Sequence, residues 1–171
     1  MLLSSVAERV YWFARYVERV ENTARILLVN NNLLLDMPRN STLGWEPIIS
    51  ITGIPEAFYE NHKEATERNV MSFLIMDSKN PSCMLNSITH ARENLRTSRA
   101  IFPRAVWETL NDLYNYARDN RSAVLTRRSR YDFLRHVIDS CHLISGKLSA
   151  SMSHDQIYEF VRMGRNIERA D

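Results

Sequence analysis

The sequence has few of the residues that interrupt helices, only 4 glycines and 5 prolines in 171 residues. That scarcity argues against many short strands joined by turns and favours long helices. Lysine is scarcer still: Lys63, Lys79 and Lys147 are the only ones. Arginine therefore carries nearly all the positive charge, either as a compositional bias or because the guanidinium groups are paired; composition does not separate the two. Cys83 and Cys141 have neither metal-ligand spacing nor a disulfide framework around them. They read as small buried thiols in a reducing compartment. No apolar run is long enough for a membrane span. The opening Met1-Leu2-Leu3-Ser4 lacks a basic n-region, and Glu8 and Arg9 interrupt any apolar run after it. The expectation is a cytoplasmic protein with no membrane role. A net charge of +2 is too small to point to nucleic acid. Glycine-rich phosphate loops, zinc-finger spacings and nucleophile elbows are all missing.

What is present is an all-α pattern. With 44% hydrophobic residues, a chain of this length fits a single domain over residues 1–171 with a substantial core. Between Ser5 and about Leu35, the residues Val6, Val10, Phe13, Val17, Val20, Ala24 and Leu27 recur at alternating spacings of four and three. On a helix this makes one apolar seam. The opposite side carries Glu8, Tyr11, Trp12, Arg15, Glu18, Arg19, Asn22 and Arg25. A solvated face has no reason to mix Trp and Tyr with arginines and to exclude lysine. Forked guanidinium groups suit interface ion pairs with carboxylates. This face is either covered by another element or a set of weak surface partners at i,i+3 and i,i+4.

The far end repeats the pattern. Gly164-Arg165-Asn166-Ile167-Glu168-Arg169-Ala170-Asp171 aligns without gaps on Ala14-Arg15-Tyr16-Val17-Glu18-Arg19-Val20-Glu21. Phe160, Met163 and Ile167 take the seam positions of Val10, Phe13 and Val17. Two such faces, each opposite an apolar seam, look like a matched pair.

The segment from Leu3 to Arg25 is similar to the start of the bacterial alpha-E family, an all-helical domain named for its Glu-Arg motif. Asp77 with Asn80-Pro81-Ser82, then Ala91-Arg92-Glu93-Asn94-Leu95-Arg96, and finally Ser151-Met152-Ser153-His154-Asp155 running into Arg165 to Asp171 resemble the same family in the same order. The resemblance implies a multi-helix bundle without an assigned activity. It also implies a neighbourhood, because alpha-E proteins are encoded beside, or fused to, circularly permuted ATP-grasp proteins. Transglutaminase-like and proteasome-like hydrolases often lie nearby, which suggests a pathway that makes or processes a peptide or amide-linked product. Family members continue past the second Glu-Arg motif. Stopping at Asp171, the chain reads as an incomplete domain, whose missing cover a second chain, as in a homodimer, could supply.

Other elements are read from local signals. Ser5-x-x-Glu8 reads as a capping box for the first helix, and Pro38 stops that helix after a loop-like stretch begins at Asp36. Short helices start at Trp45-Glu46-Pro47 and at Pro55, separated by Gly53, and Glu64 to Met76 looks helical. Asn80-Pro81 reads as a helix start, with Leu85, Ile88, Ala91 and Leu95 inward. Pro103 starts the next helix, with Val106, Leu110, Leu113 and Tyr114 apolar. Arg127-Arg128-Ser129-Arg130 reads as a solvated basic turn, with Arg121 nearby, before a helix ended by Gly146. Ser153-x-x-Gln156 reads as the cap of the last helix.

The candidate binding site is a groove in which Arg15, Glu18, Arg19 and Asn22 face Arg165, Glu168 and Arg169, with Arg92, Glu93 and Arg96 as a third wall. Such a site suits a carboxylate, a phosphate or a peptide backbone. The expected role is accessory: binding an ATP-grasp-type amide ligase or its peptide-like product, without a cofactor. One alternative is an enzyme using Glu18 and Glu168 as an acid–base pair; another is a purely structural module whose ion pairs only fix helix register. The sequence leans away from catalysis, because adjacent Cys141 and His142 point about 100° apart on a helix. His90-x-x-Glu93 and His136-x-x-Asp139 reverse the order used by bundle di-metal sites, so no metal is expected.

Overall fold

Helix α1, Ser4–Asp36, contains neither glycine nor proline, and its apolar seam returns every three or four residues over its length. Val10, Phe13, Val17, Val20, Ala24 and Leu27 are buried and Val6 is partly buried, which matches the expected seam. The computed structural model describes residues 4–36, 44–53 and 55–171. They form eight α-helices and a short 3-10 helix, with no strand among them.

Four helices make the bundle. α5 (Met84–Thr97) and α7 (Arg127–Ser151) flank α1, and α6 (Arg104–Asp119) joins α5 to α7. Side-chain contacts set the directions. His90 stacks on Tyr16 and Phe102 packs on Phe13, while Asn80 lines a groove with Ile26, so α5 runs against α1. Lys147 Nζ donates to Thr109 Oγ1 at 2.6 Å, and Tyr116 stacks on Phe133, so α6 and α7 are antiparallel. Arg130 reaches Asn31 and His142 reaches Glu21, so α7 also runs against α1. The result is an up-down-up-down bundle. Helix α8 (Gln156–Ala170) lies outside it, alongside α1.

Between α1 and α5 come three short helices, α2 (Glu46–Ile51), α3 (Pro55–Tyr59) and α4 (Glu67–Ile75). Gly53, at φ +71°, makes the break between α2 and α3 in the left-handed region that glycine tolerates. These helices help close one end of the bundle around Arg130, which is only 1% exposed. Its guanidinium donates to the Val124 carbonyl at 2.8 Å and to Asn31 Oδ1 at 2.9 Å, pairs with Glu67 at 2.7 Å, and lies under the Trp45 ring. Arg127 forks onto the same Glu67.

This arrangement corrects the solvated basic turn expected at Arg127–Arg130. The chain turns earlier, in the 3-10 helix Arg121–Leu125, and the arginines open α7, where Glu67 pairs with Arg127 and Arg130 and the Val124 carbonyl accepts from Arg130, while Arg127 and Arg128 stay exposed. The hydrogen bond from Arg127, joined by one from Arg130, outweighs burial and holds the Glu67 carboxyl below its ordinary value of 4.5. A depressed carboxylate contributes stability that is whole above the unfolded pKa and is lost as pH falls through the folded one. Melting temperature should therefore fall below about pH 4.5, and Glu67→Gln should flatten that acid limb while costing about 1–3 kcal/mol at neutral pH by leaving Arg130 unpaired. Thermal melts across pH 3–7 measure both effects.

Several boundaries also differ from the local signals. Ser5 lies inside α1, so it does not cap it. α4 begins at Glu67, three residues later than expected, because Thr66 Oγ1 accepts from the Asn69 amide. α5 begins at Met84, with Cys83 as its N-cap. Asn80 instead ties α4 to the entry of α5: its Oδ1 accepts from the Ser82 amide and its Nδ2 donates to the Phe73 carbonyl. α7 continues through Gly146 to Ser151. Asp155, not Ser153, caps α8 by accepting from the Ile157 and Tyr158 amides. Pro38 and most of the loop expected from Asp36 to Gly44 lie outside the described residues. No helix among the described residues is long and apolar enough to cross a membrane.

Candidate functional site

α8 meets α1 at two small residues. A Cβ built on Gly164 would overlap the Tyr11 carbonyl oxygen and come within 3.2 Å of Ala14 Cβ. Only glycine allows this approach, and Gly164 is the repeat partner of Ala14. Moving along both helices in the same sense, Arg165 reaches Glu18, then Glu168 reaches Arg15 and Arg19. The helices are thus parallel, with their two motifs at the same level.

The consequence is a reciprocal lattice. Glu168 accepts from Arg15 Nε at 2.5 Å and from Arg19 Nε and Nη2 at 2.6 and 3.0 Å. Glu18 accepts from Arg165 Nε at 3.2 Å and from Arg169 Nε. Each glutamate is gripped by both arginines of the other repeat, as a local two-fold axis between the helices requires. Both carboxylates are nearly buried, with side chains 3% and 8% exposed for Glu18 and Glu168. Arg15 extends the lattice to Asp171 and to the Tyr11 hydroxyl. Burial pulls the Arg15 guanidinium down, but the hydrogen bonds with Tyr11 and Glu168 and the Glu168 charge outweigh it and raise it. The hydrogen bond to Glu18 does the same for Arg169.

The chain contains four Glu-Arg dipeptides, Glu8-Arg9, Glu18-Arg19, Glu67-Arg68 and Glu168-Arg169. Only the second and fourth interlock across helices among the described residues.

The expected third wall is not at the lattice. Arg92 turns towards α6, donating Nε to Asn111 Oδ1 at 2.6 Å and lying between the Trp107 and Tyr114 rings. Arg96 and Glu93 form an exposed i,i+3 pair of their own. His90 stacks on Tyr16 and His136 on Tyr116, and no three metal-ligating side chains of the kinds His, Cys, Asp and Glu converge among the described residues.

Beyond the lattice, α1 borders an open groove of about 600 Å³. Arg15, Arg19, Asn22 and Arg25 line it from α1, and Glu168, Arg169 and Asp171 from α8. Its other wall is Ile51 and Thr52 of α2 and the α4–α5 junction, through Leu74, Asn80 and Ser82. Asn80 and Ser82 sit in one of the stretches that carry the family resemblance, but a helix-start signal alone gives them only a capping role.

Next to the groove lies Glu21, 1% exposed. Its Oε1 accepts from Arg25 and contacts His142 Nε2 at 3.0 Å, while its buried Oε2 has no partner among the described residues. Cys141 is fully buried, and burial, reinforced by the charges of Glu21 and Glu18, pushes its thiol up. It is held as the thiol rather than as a nucleophile.

No curated protein and no solved structure matches the chain. A family model described as a predicted alpha-helical domain with a conserved ER motif matches residues 2–171. With that match over essentially its whole length, and with two Glu-Arg pairs joining α1 to α8, the chain belongs to the Alpha-E family.

Proposed function

We propose that the protein is an accessory binding module whose groove recognises a partner enzyme of the ATP-grasp amide-ligase type, or the peptide-like product that such an enzyme makes. The observation that carries this reading is the groove itself, where guanidinium, amide and aliphatic side chains line one open space beside the lattice. The lattice and the groove divide the work: Glu18 and Glu168 hold α8 on α1, and the outer edges of Arg19 and Arg169 face whatever binds. An acid–base role for the two glutamates is disfavoured, because both oxygens of each carboxylate already accept from guanidinium N–H groups.

The partner is the ATP-grasp protein expected from the family resemblance, and capture by the immobilised protein tests it. Asn22→Tyr fills the groove without touching a lattice bond, so it should abolish capture while leaving the melting temperature within about 2 °C of wild type, as for substitutions away from packed features. Equal capture by the variant would put the interface elsewhere. Absence of capture by wild type would remove this partner.

A further inference from the structure

Resting on that reading of the groove, we infer that its ligand is the free carboxy terminus of a peptide whose last side chain is aliphatic. The first supporting feature is charge. Arg15, Arg19, Arg25, Arg165 and Arg169 meet the four carboxylates of Glu18, Glu21, Glu168 and Asp171, so the cluster carries one positive charge more than it neutralises. That surplus matches a monoanion.

The second is unused donors. Arg19 spends Nε and Nη2 on Glu168, and Arg169 spends Nε on Glu18. Arg19 Nη1 and both Nη atoms of Arg169 donate to nothing among the described residues, although both side chains line the groove. Forked donors of this kind fit a planar carboxylate. Half-buried Asn22, on the same wall, carries an amide that can donate to and accept from a peptide group one bond further in.

The third is the opposite wall. Leu74 is buried there and Ile26, bordering from α1, is partly buried, yet Ile51 in the same groove is 66% exposed. An aliphatic side chain on the ligand's last residue would cover it. The volume lies within the usual range for small-ligand sites, about 300–1,000 Å³. A phosphate dianion fits less well, because Glu168 and Asp171 line the same wall and oppose a second negative charge.

Fluorescence anisotropy with a fluorescein-labelled Ala-Gly-Ala-Leu peptide tests the inference, with the same peptide amidated at its carboxy terminus and a version ending in Asp as comparisons. The free acid ending in Leu should bind at least about tenfold more tightly than either. Ile51→Asp, an exposed position outside the lattice, should erase the preference for Leu without lowering the melting temperature. Acetate at high concentration should compete better than inorganic phosphate.

Equal binding of acid and amide, no binding of any peptide, or stronger competition by phosphate would each overturn the inference. The groove reading has its own result to stand on: capture of the ATP-grasp protein that is sensitive to Asn22→Tyr would survive the loss of carboxylate specificity, whereas capture indifferent to that variant would remove the groove reading too.

Discussion

Glu168→Ala is expected to lower the melting temperature by about 6–12 °C, corresponding to a loss of about 3 kcal/mol. The truncation removes three N–H···O bonds and leaves Arg15 and Arg19, whose side chains are 13% and 25% exposed, facing an emptied contact. Most of the cost is the uncompensated charge of Arg19, since Arg15 keeps Asp171, and not the worth of the ion pairs. The distinction can be measured: replacing the whole triad, Arg15→Met with Arg19→Met and Glu168→Leu, should recover most of the loss, because the two helices would then meet through apolar side chains of similar volume. A change below about 1 °C for Glu168→Ala would place the lattice among surface ion pairs of negligible contribution. Glu18→Ala should behave alike, since Glu18 holds the equivalent place in the other repeat.

Gly164→Ala is the second large effect, and its sign is informative. On an ordinary helix this substitution stabilises by about 1 kcal/mol, because alanine loses less backbone freedom on folding. Here the added methyl would overlap the Tyr11 carbonyl oxygen, which lies inside α1 and has no room to step aside. α8 must move away, and overpacking of this kind costs about 1–3 kcal/mol. Retreat also stretches every bond of the lattice, so the upper end is expected. Hydrogen exchange should show the α8 amides losing protection before those of α1, α5, α6 and α7. A stabilised Gly164→Ala variant would mean that the two helices do not approach this closely.

How far the sequence can be read depends on how local each signal is. The seam Val10, Phe13, Val17, Val20, Ala24 and Leu27 is legible because helical periodicity is a property of neighbours in the chain. The pairing of Arg15, Glu18 and Arg19 with Arg165, Glu168 and Arg169 is legible because the repeat puts complementary residues at equivalent positions. Arg92 and Arg96 belong to a similar charged pattern, but nothing within their own helix says that Arg92 faces Asn111, Trp107 and Tyr114 on α6. Arg130 misleads for a related reason: burying a guanidinium depends on Asn31, Glu67 and Val124, which lie in three other segments. Caps slip by two or three residues where several polar side chains compete, as with Asn80 and Cys83, or Ser153 and Asp155. The groove has walls from four helices and a loop, so no single stretch announces it.

The α1–α8 lattice also has a place in time. Glu18 and Arg19 leave the ribosome some 150 positions ahead of the residues that grip them, Arg165 and Arg169 for Glu18 and Glu168 for Arg19. At about 5–20 residues per second, that interval is roughly 8–30 s. During it, α1, α5 and α6 can already pack through the apolar seam and α7 joins them near its end, while the charged side of α1 waits in water. Docking of α8 then buries two carboxylates in one late step, and until that step the nascent chain offers its arginine-rich face to any acidic segment nearby.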